Sequence, residues 1–182
     1  MTGDVVLDFD KINHYKKQYL TFEAVEAGTF TLTIGANVST SYVTSISYSV
    51  DNGSTWTTTS NVDSQTVTIT TPSVTAGNKV LWKGTATATA TTTVTSSLAA
   101  ASRLAEVCNF TSTGSYDIYG NIMSLLYGDN FEDKDYFATG SSRNFALLFY
   151  GTADNALTKV HNAEYLILPV KICPDYCYYR MF

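Results

Sequence analysis

The sequence predicts a mainly β protein, and three observations carry that expectation. Serine and threonine supply about a quarter of the 182 residues, and aromatic residues reach 13%, with 13 Tyr among them. β-Branched and aromatic side chains of this kind suit pleated, half-buried strands better than helices. Charged residues are held to 15% while hydrophobic residues stay at 45%, which is enough apolar surface to form a core rather than a disordered chain. From residue 19 onward, short runs alternate apolar and polar positions and are separated by turn residues, the period of strands with one buried face. A chain of this length folds as one large domain or two small ones without needing disulfide or metal staples.

The elements follow in order. Residues 1–18 read as an N-terminal arm: Asp8 to Tyr19 is rich in lysine, and Phe9, Ile12, Tyr15 and Tyr19 recur at near-helical spacing, which predicts a short helix or an extended arm. Leu20, Phe22 and Ala24 then alternate, Glu26-Ala27-Gly28 reads as a turn, and Phe30, Leu32 and Ile34 alternate again, the pattern of a hairpin with one apolar face. Val43 to Val50 is answered by Thr55 to Thr59. Val62 to Thr70 follows, with Val67 and Ile69 on one face and Pro72 closing it, and Lys79 to Thr89 makes a further strand with Val80 and Trp82 on one side. Five to seven short strands at this spacing predict an immunoglobulin-like β-sandwich over residues 19–90, although no Cys-Trp-Cys core is present.

Residues 91–107 lie in an Ala/Thr/Ser-rich tract that reads equally as a linker or a long exposed strand. Over 108–182, Asn109-Phe110-Thr111 and Tyr116 to Tyr119 are strand candidates, Gly120 is expected to break the chain, and Ile122 to Tyr127 reads as an apolar turn. Aligning Phe145–Phe149 with Tyr178–Phe182 suggests one repeat unit and the beginning of a second.

The best-defined motif is Ser49-Val50-Asp51-Asn52-Gly53-Ser54-Thr55-Trp56, which fits the S-x-D-x-G-x-T-W pattern of the Asp box. Its chemistry is structural: Asp51 accepts hydrogen bonds from turn amides, Gly53 supplies a positive φ, and Trp56 covers the base of the hairpin. Sialidases repeat this motif around a propeller, but one copy in 182 residues builds no propeller. Trp56 and Trp82 would suit a sugar-stacking platform, although Trp82 on an alternating strand reads better as core. Asp129, Glu132, Asp133 and Asp135 carry oxygen donors but fail the EF-hand pattern and read as a solvated loop. His14 and His161 stand apart from any nucleophile setting, and there is no GxxxxGK, GxGxxG or GxSxG motif. No catalytic residue, metal ligand or cofactor is expected.

Net charge is −5 with a pI near 4.8, which argues against an electrostatic grip on nucleic acid or an anionic membrane. No apolar stretch approaches the roughly 20 residues of a membrane span, so no membrane insertion is expected. Met1 to Asp8 has neither a basic leader nor an apolar core, so no signal peptide is expected. Cys108, Cys173 and Cys177 form an odd set without CxxC spacing, which excludes a disulfide scaffold.

Tyr19 to Ala24 with Gly28-Thr29-Phe30, the Ser45 to Trp56 segment, Lys79 to Gly84 and Tyr119 to Asp129 together resemble the leading, pre-repeat region of BspA-like leucine-rich-repeat surface proteins of Bacteroidales and their phages. Leu166 to Pro169 followed by Tyr176 to Phe182 looks like the opening of that family's repeat array. The resemblance implies a small α/β leucine-rich-repeat-like C-terminal region after the sandwich. Combined with the expected lack of a leader, it implies a non-enzymatic phage virion protein, a fibre or capsid decoration exposed on the particle. Its partners would be virion proteins or a second copy of itself, and a host-surface glycan or protein. The alternatives are a bacterial cell-surface adhesin fragment and a glycan-binding accessory module of a secreted enzyme. On the virion reading, Phe9, Ile12, Tyr15 and Lys16 anchor the arm to the particle, and Tyr178, Met181 and Phe182 are the second docking candidate.

Overall fold

The computed structural model describes residues 8–34, 43–60, 62, 66–86, 109–135, 145, 148–149, 159–171, 178 and 181–182. The Ala/Thr/Ser tract at 91–107 and all three cysteines lie outside the described residues.

The protein is mainly β and has two sheets. The larger runs β10-β8-β1-β6-β3-β4, with β1 at Leu20–Ala24, β3 at Val43–Ser49, β4 at Thr57–Ser60, β6 at Lys79–Ala86, β8 at Tyr116–Asn121 and β10 at Leu166–Ile167. A short β9, Val160–Asn162, pairs with β8 in parallel upstream of β10, so β9 and β10 form one interrupted strand along the edge of β8. The smaller sheet runs β5-β2-β7, with β2 at Phe30–Ile34, β5 at Val67–Thr70 and β7 at Asn109–Ser112.

Alternation decides which side chains are buried. Leu20, Phe22, Ile46, Val80, Trp82 and Ile118 of the large sheet meet Phe30, Leu32, Ile34 and Phe110 of the small one in a single core. Phe22 is its hub, with ring centroids 5.3 Å from Phe30, 4.9 Å from Phe110 and 5.0 Å from Tyr116. The outer face of the small sheet carries threonines instead, and Thr31 and Thr70 pair through their hydroxyls at 3.0 Å. Such cross-strand pairs account for part of the chain's threonine usage.

Three expectations are corrected. β1 and β2 do not form a hairpin: β1 pairs with β6 and β8, while β2 pairs with β5 and β7. The segment between them crosses from one sheet to the other, with Gly28 bridging Val74, because two strands that each bury one face can also do so from opposite sides of the core. The sandwich is also not confined to 19–90, since β7 and β8 complete its two sheets. Finally, Gly120 does not end a strand, because β8 runs through it to Asn121, and the apolar stretch beyond is a short helix, α2, at Ser124–Tyr127.

That helix is tied in by buried polar groups. Leu20 N–H donates to Ser124 Oγ at 3.0 Å, and Ser124 Oγ–H donates to the Trp82 carbonyl at 2.9 Å. Beyond the Leu20 end of β1 the segment lies along β6, where Tyr127 bridges Thr85. A Cβ on Gly84 would stand 2.0 Å from the Leu125 carbonyl oxygen, so only glycine permits this approach.

The N-terminal residues form helix α1, Phe9–Lys16, capped by Asp8, whose side chain accepts from Lys11 N–H at 3.1 Å. α1 packs against β8 and β10, and the side chain of Asn121 donates to the Lys16 carbonyl at 2.9 Å. Its described part is therefore joined to the sandwich and is not a free arm.

Candidate binding cleft

The Asp box forms the β3–β4 connection. Ser49 Oγ–H donates to Asp51 Oδ1 at 2.7 Å and accepts from Gly53 N–H at 2.8 Å. Asp51 also accepts from Thr55 N–H at 2.9 Å and from the Thr55 hydroxyl at 2.6 Å. These bonds, the Thr55 hydroxyl first, hold the Asp51 carboxyl at about 2. Gly53 has φ +87 and Asn52 φ 57, so the turn rests on two left-handed residues.

Trp56 and Trp82 do not make a platform. Trp82 is wholly buried in the core, whereas Trp56 lies on the other face of the sheet, its ring covered by Lys83 Nζ 4.1 Å from the centroid. Lys83 also pairs with Asp129 Oδ1 at 2.8 Å, and Tyr19 OH donates to the same oxygen at 2.7 Å. The cluster pins the hairpin to the segment after α2. It also uses Asp129 as an ion-pair partner, and among the described residues no group of three or more His, Cys, Asp or Glu could hold a metal ion.

The docking candidates separate. Tyr15 is stacked on Tyr165 at 4.6 Å and meets Tyr119 edge-on at 5.3 Å. Ile12 and Lys16 are half-buried, and Phe9 is 67% exposed. At the other end Met181 is buried, which removes it as a docking residue, Tyr178 stacks on Phe145, and Phe182 is 42% exposed beside Phe149.

Sequence reasoning did not find the cleft of about 180 Å³ on the outer face of the large sheet, between α1 and the β9–β10 edge. Strand register assembles it. Glu23 on β1 lies opposite both Lys79 on β6 and Asp117 on β8, and Asp117 lies opposite Asn162 on β9. Two carboxylates facing each other across strands repel, and each has its own counter-group. Lys79 Nζ stands 3.7 Å from Glu23, Tyr119 OH donates to Glu23 at 2.9 Å, and His161 Nδ1 lies 2.7 Å from Asp117. Burial, reinforced by the Glu23 bond, pushes the Tyr119 phenol well above its ordinary range, so it stays a donor. Tyr15, Tyr165 and Glu164 complete the walls. The alternation that placed Glu23 on an outer face was visible in the sequence, where Asp117 and Tyr119 were legible only as members of a strand; the neighbours of all three were not. Comparison with family models, curated proteins and solved structures gives no match.

Proposed function

We propose that this chain is a non-enzymatic structural and adhesive protein, an immunoglobulin-like module displayed on a phage virion as a fibre or capsid decoration. It meets a host-surface glycan or protein through the outer face of its large sheet. The observation that carries this reading is the cleft of three tyrosines and three carboxylates on that face, set on a scaffold whose inner faces are occupied by aromatic packing. The virion setting is supported by the sequence resemblance.

The immunoglobulin-type assignment is supported by the pairing of β2 with β5 and of β3 with β6, which follows the B–E and C–F pairs of such sandwiches. The order departs at three places: β1 lies beside β6, where the last strand of that fold lies, β7 lies beside β2, where the first one does, and β8 with β9 and β10 extends the large sheet beyond β1. The leucine-rich-repeat part is supported by the ring pairs Phe145–Tyr178 and Phe149–Phe182. These join equivalent positions of the two aligned segments, as neighbouring repeats stack like residue on like.

Two measurements test the reading. Antibody raised to the chain should label phage particles in immunogold electron microscopy, and labelled chain should adsorb to Bacteroidales cells without releasing sugar from them. Unlabelled particles with adsorbed cells would favour the cell-surface adhesin, and enzymatic release of sugar would overturn the non-enzymatic assignment.

A further inference from the structure

We propose that the cleft between α1 and the β9–β10 edge binds a single neutral pyranose unit, whose hydroxyls bond Glu23, Asp117 and Asn162 while a carbon face lies against the tyrosines. This deepens the adhesive reading above and rests on it.

Charge and committed contacts select the ligand class. Three carboxylates disfavour an anion. Nor is a cation favoured, because positive charge is already supplied: Lys79 Nζ stands 3.7 Å from Glu23 and 5.6 Å over Tyr119, and Lys11 Nζ lies 5.4 Å over Tyr165. Tyr15 and Tyr165 are stacked on each other, so they form a wall and not a cage. Glu23 and Asp117 each use one oxygen internally, Oε2 toward Tyr119 and Lys79 and Oδ1 toward His161. Among the described residues, the other oxygen of each makes no hydrogen bond. Asn162 Oδ1 accepts from Glu164 N–H at 2.8 Å, which leaves its amide as a donor. Two open carboxylate acceptors, an amide donor and an aromatic wall match a ring with polar edges and an apolar face. At about 180 Å³ the cleft lies below the ~300–1,000 Å³ that encloses a drug-sized molecule, which fits one sugar ring of a chain that continues into solvent.

The test is a glycan array of neutral, amino and sialylated oligosaccharides, with calorimetry on any hit, run on the full chain and on Asp117→Asn, Glu23→Gln, Asn162→Ala and Trp56→Ala. Thermal midpoints accompany each variant, and Asn162→Ala on the edge strand stands in if Glu23→Gln disturbs folding. Neutral glycans are expected to bind, at least tenfold more weakly in the Asp117, Glu23 and Asn162 variants and unchanged in Trp56→Ala. Binding that ignores the three cleft variants, or that falls only in Trp56→Ala, overturns this site. So does selective binding of amino sugars or sialylated glycans. Failure to bind any sugar while cells still adsorb the protein overturns this inference alone, and failure of both overturns the adhesive reading with it.

Discussion

Two residues of the β3–β4 turn illustrate how local chemistry sets the register of a sheet. Gly53 sits at φ +87 with Trp56 and Leu81 side chains 3.8 Å from its would-be Cβ. Gly53→Val should cost about 1 kcal/mol or more, read as a shift in urea midpoint, because a β-branched residue is disfavoured at positive φ. Asp51 gives a pH signature. Its carboxyl is held at about 2 by the Thr55 and Ser49 hydroxyls and the Thr55 amide, below the roughly 3.9 of an unfolded chain. The unfolded state therefore takes up the proton first, and the contribution of Asp51 is full above about pH 4 and lost as pH falls toward 2. Urea midpoints of Asp51→Asn should fall less steeply than those of the parent between pH 4 and 2; parallel slopes would sink the assignment. Gly84→Ala places a methyl group against the Leu125 carbonyl and should cost about 2 kcal/mol or more.

Among the elements, α1 is the one whose role differs most from the sequence expectation. Tyr15 fills a gap between Tyr119 and Tyr165, and Asn121, buried at the end of β8, uses the Lys16 carbonyl and Met123 N–H as its partners. Tyr15→Ala should cost about 1–3 kcal/mol, since each aromatic pair contributes roughly 0.5–1.5 kcal/mol beyond its area. Deleting residues 1–18 should lower the thermal midpoint measured by circular dichroism. An unchanged midpoint would restore the free arm. β1 was equally legible as a strand and misread in its partner: a short connection containing glycine suggests a hairpin, and only the pairing with β6 and β8 shows the crossing.

The whole molecule depends on one aromatic core. Trp82 packs against Phe22, Tyr48 and Phe110, and its indole N–H makes no hydrogen bond among the described residues. Trp82→Ala should cost about 3–5 kcal/mol. Trp82→Phe should cost clearly less, because it removes an unpaired donor together with part of the ring; equal losses would contradict that account. Alkali should act on the fold as a unit. Burial is the first cause that pushes Tyr19 up to about 12 and Tyr116, Tyr119 and Tyr178 above the ordinary phenol range. A raised phenol pKa means that the folded state holds its proton longer, so the stabilisation is full below about pH 10 and is lost as pH rises beyond it. In an absorbance titration, these four phenols should ionise late, together with unfolding. Ionisation of all 13 tyrosines in one early step would contradict this burial.

The sequence by itself determined which residues face inward, where most strands run, and that Ser49 to Trp56 folds into a tight turn. Each of these depends on a period of two or on contacts between residues a few positions apart. It could not determine strand neighbours, because alternation specifies a face and carries no partner: Glu23 meets Asp117 and Tyr119, and Tyr15 meets Tyr165, across long stretches of chain. The cleft is made of such meetings, and so is the capture of α1. Only tertiary structure decided them, because register between distant strands is set by the packing of the common core, to which every element contributes at once.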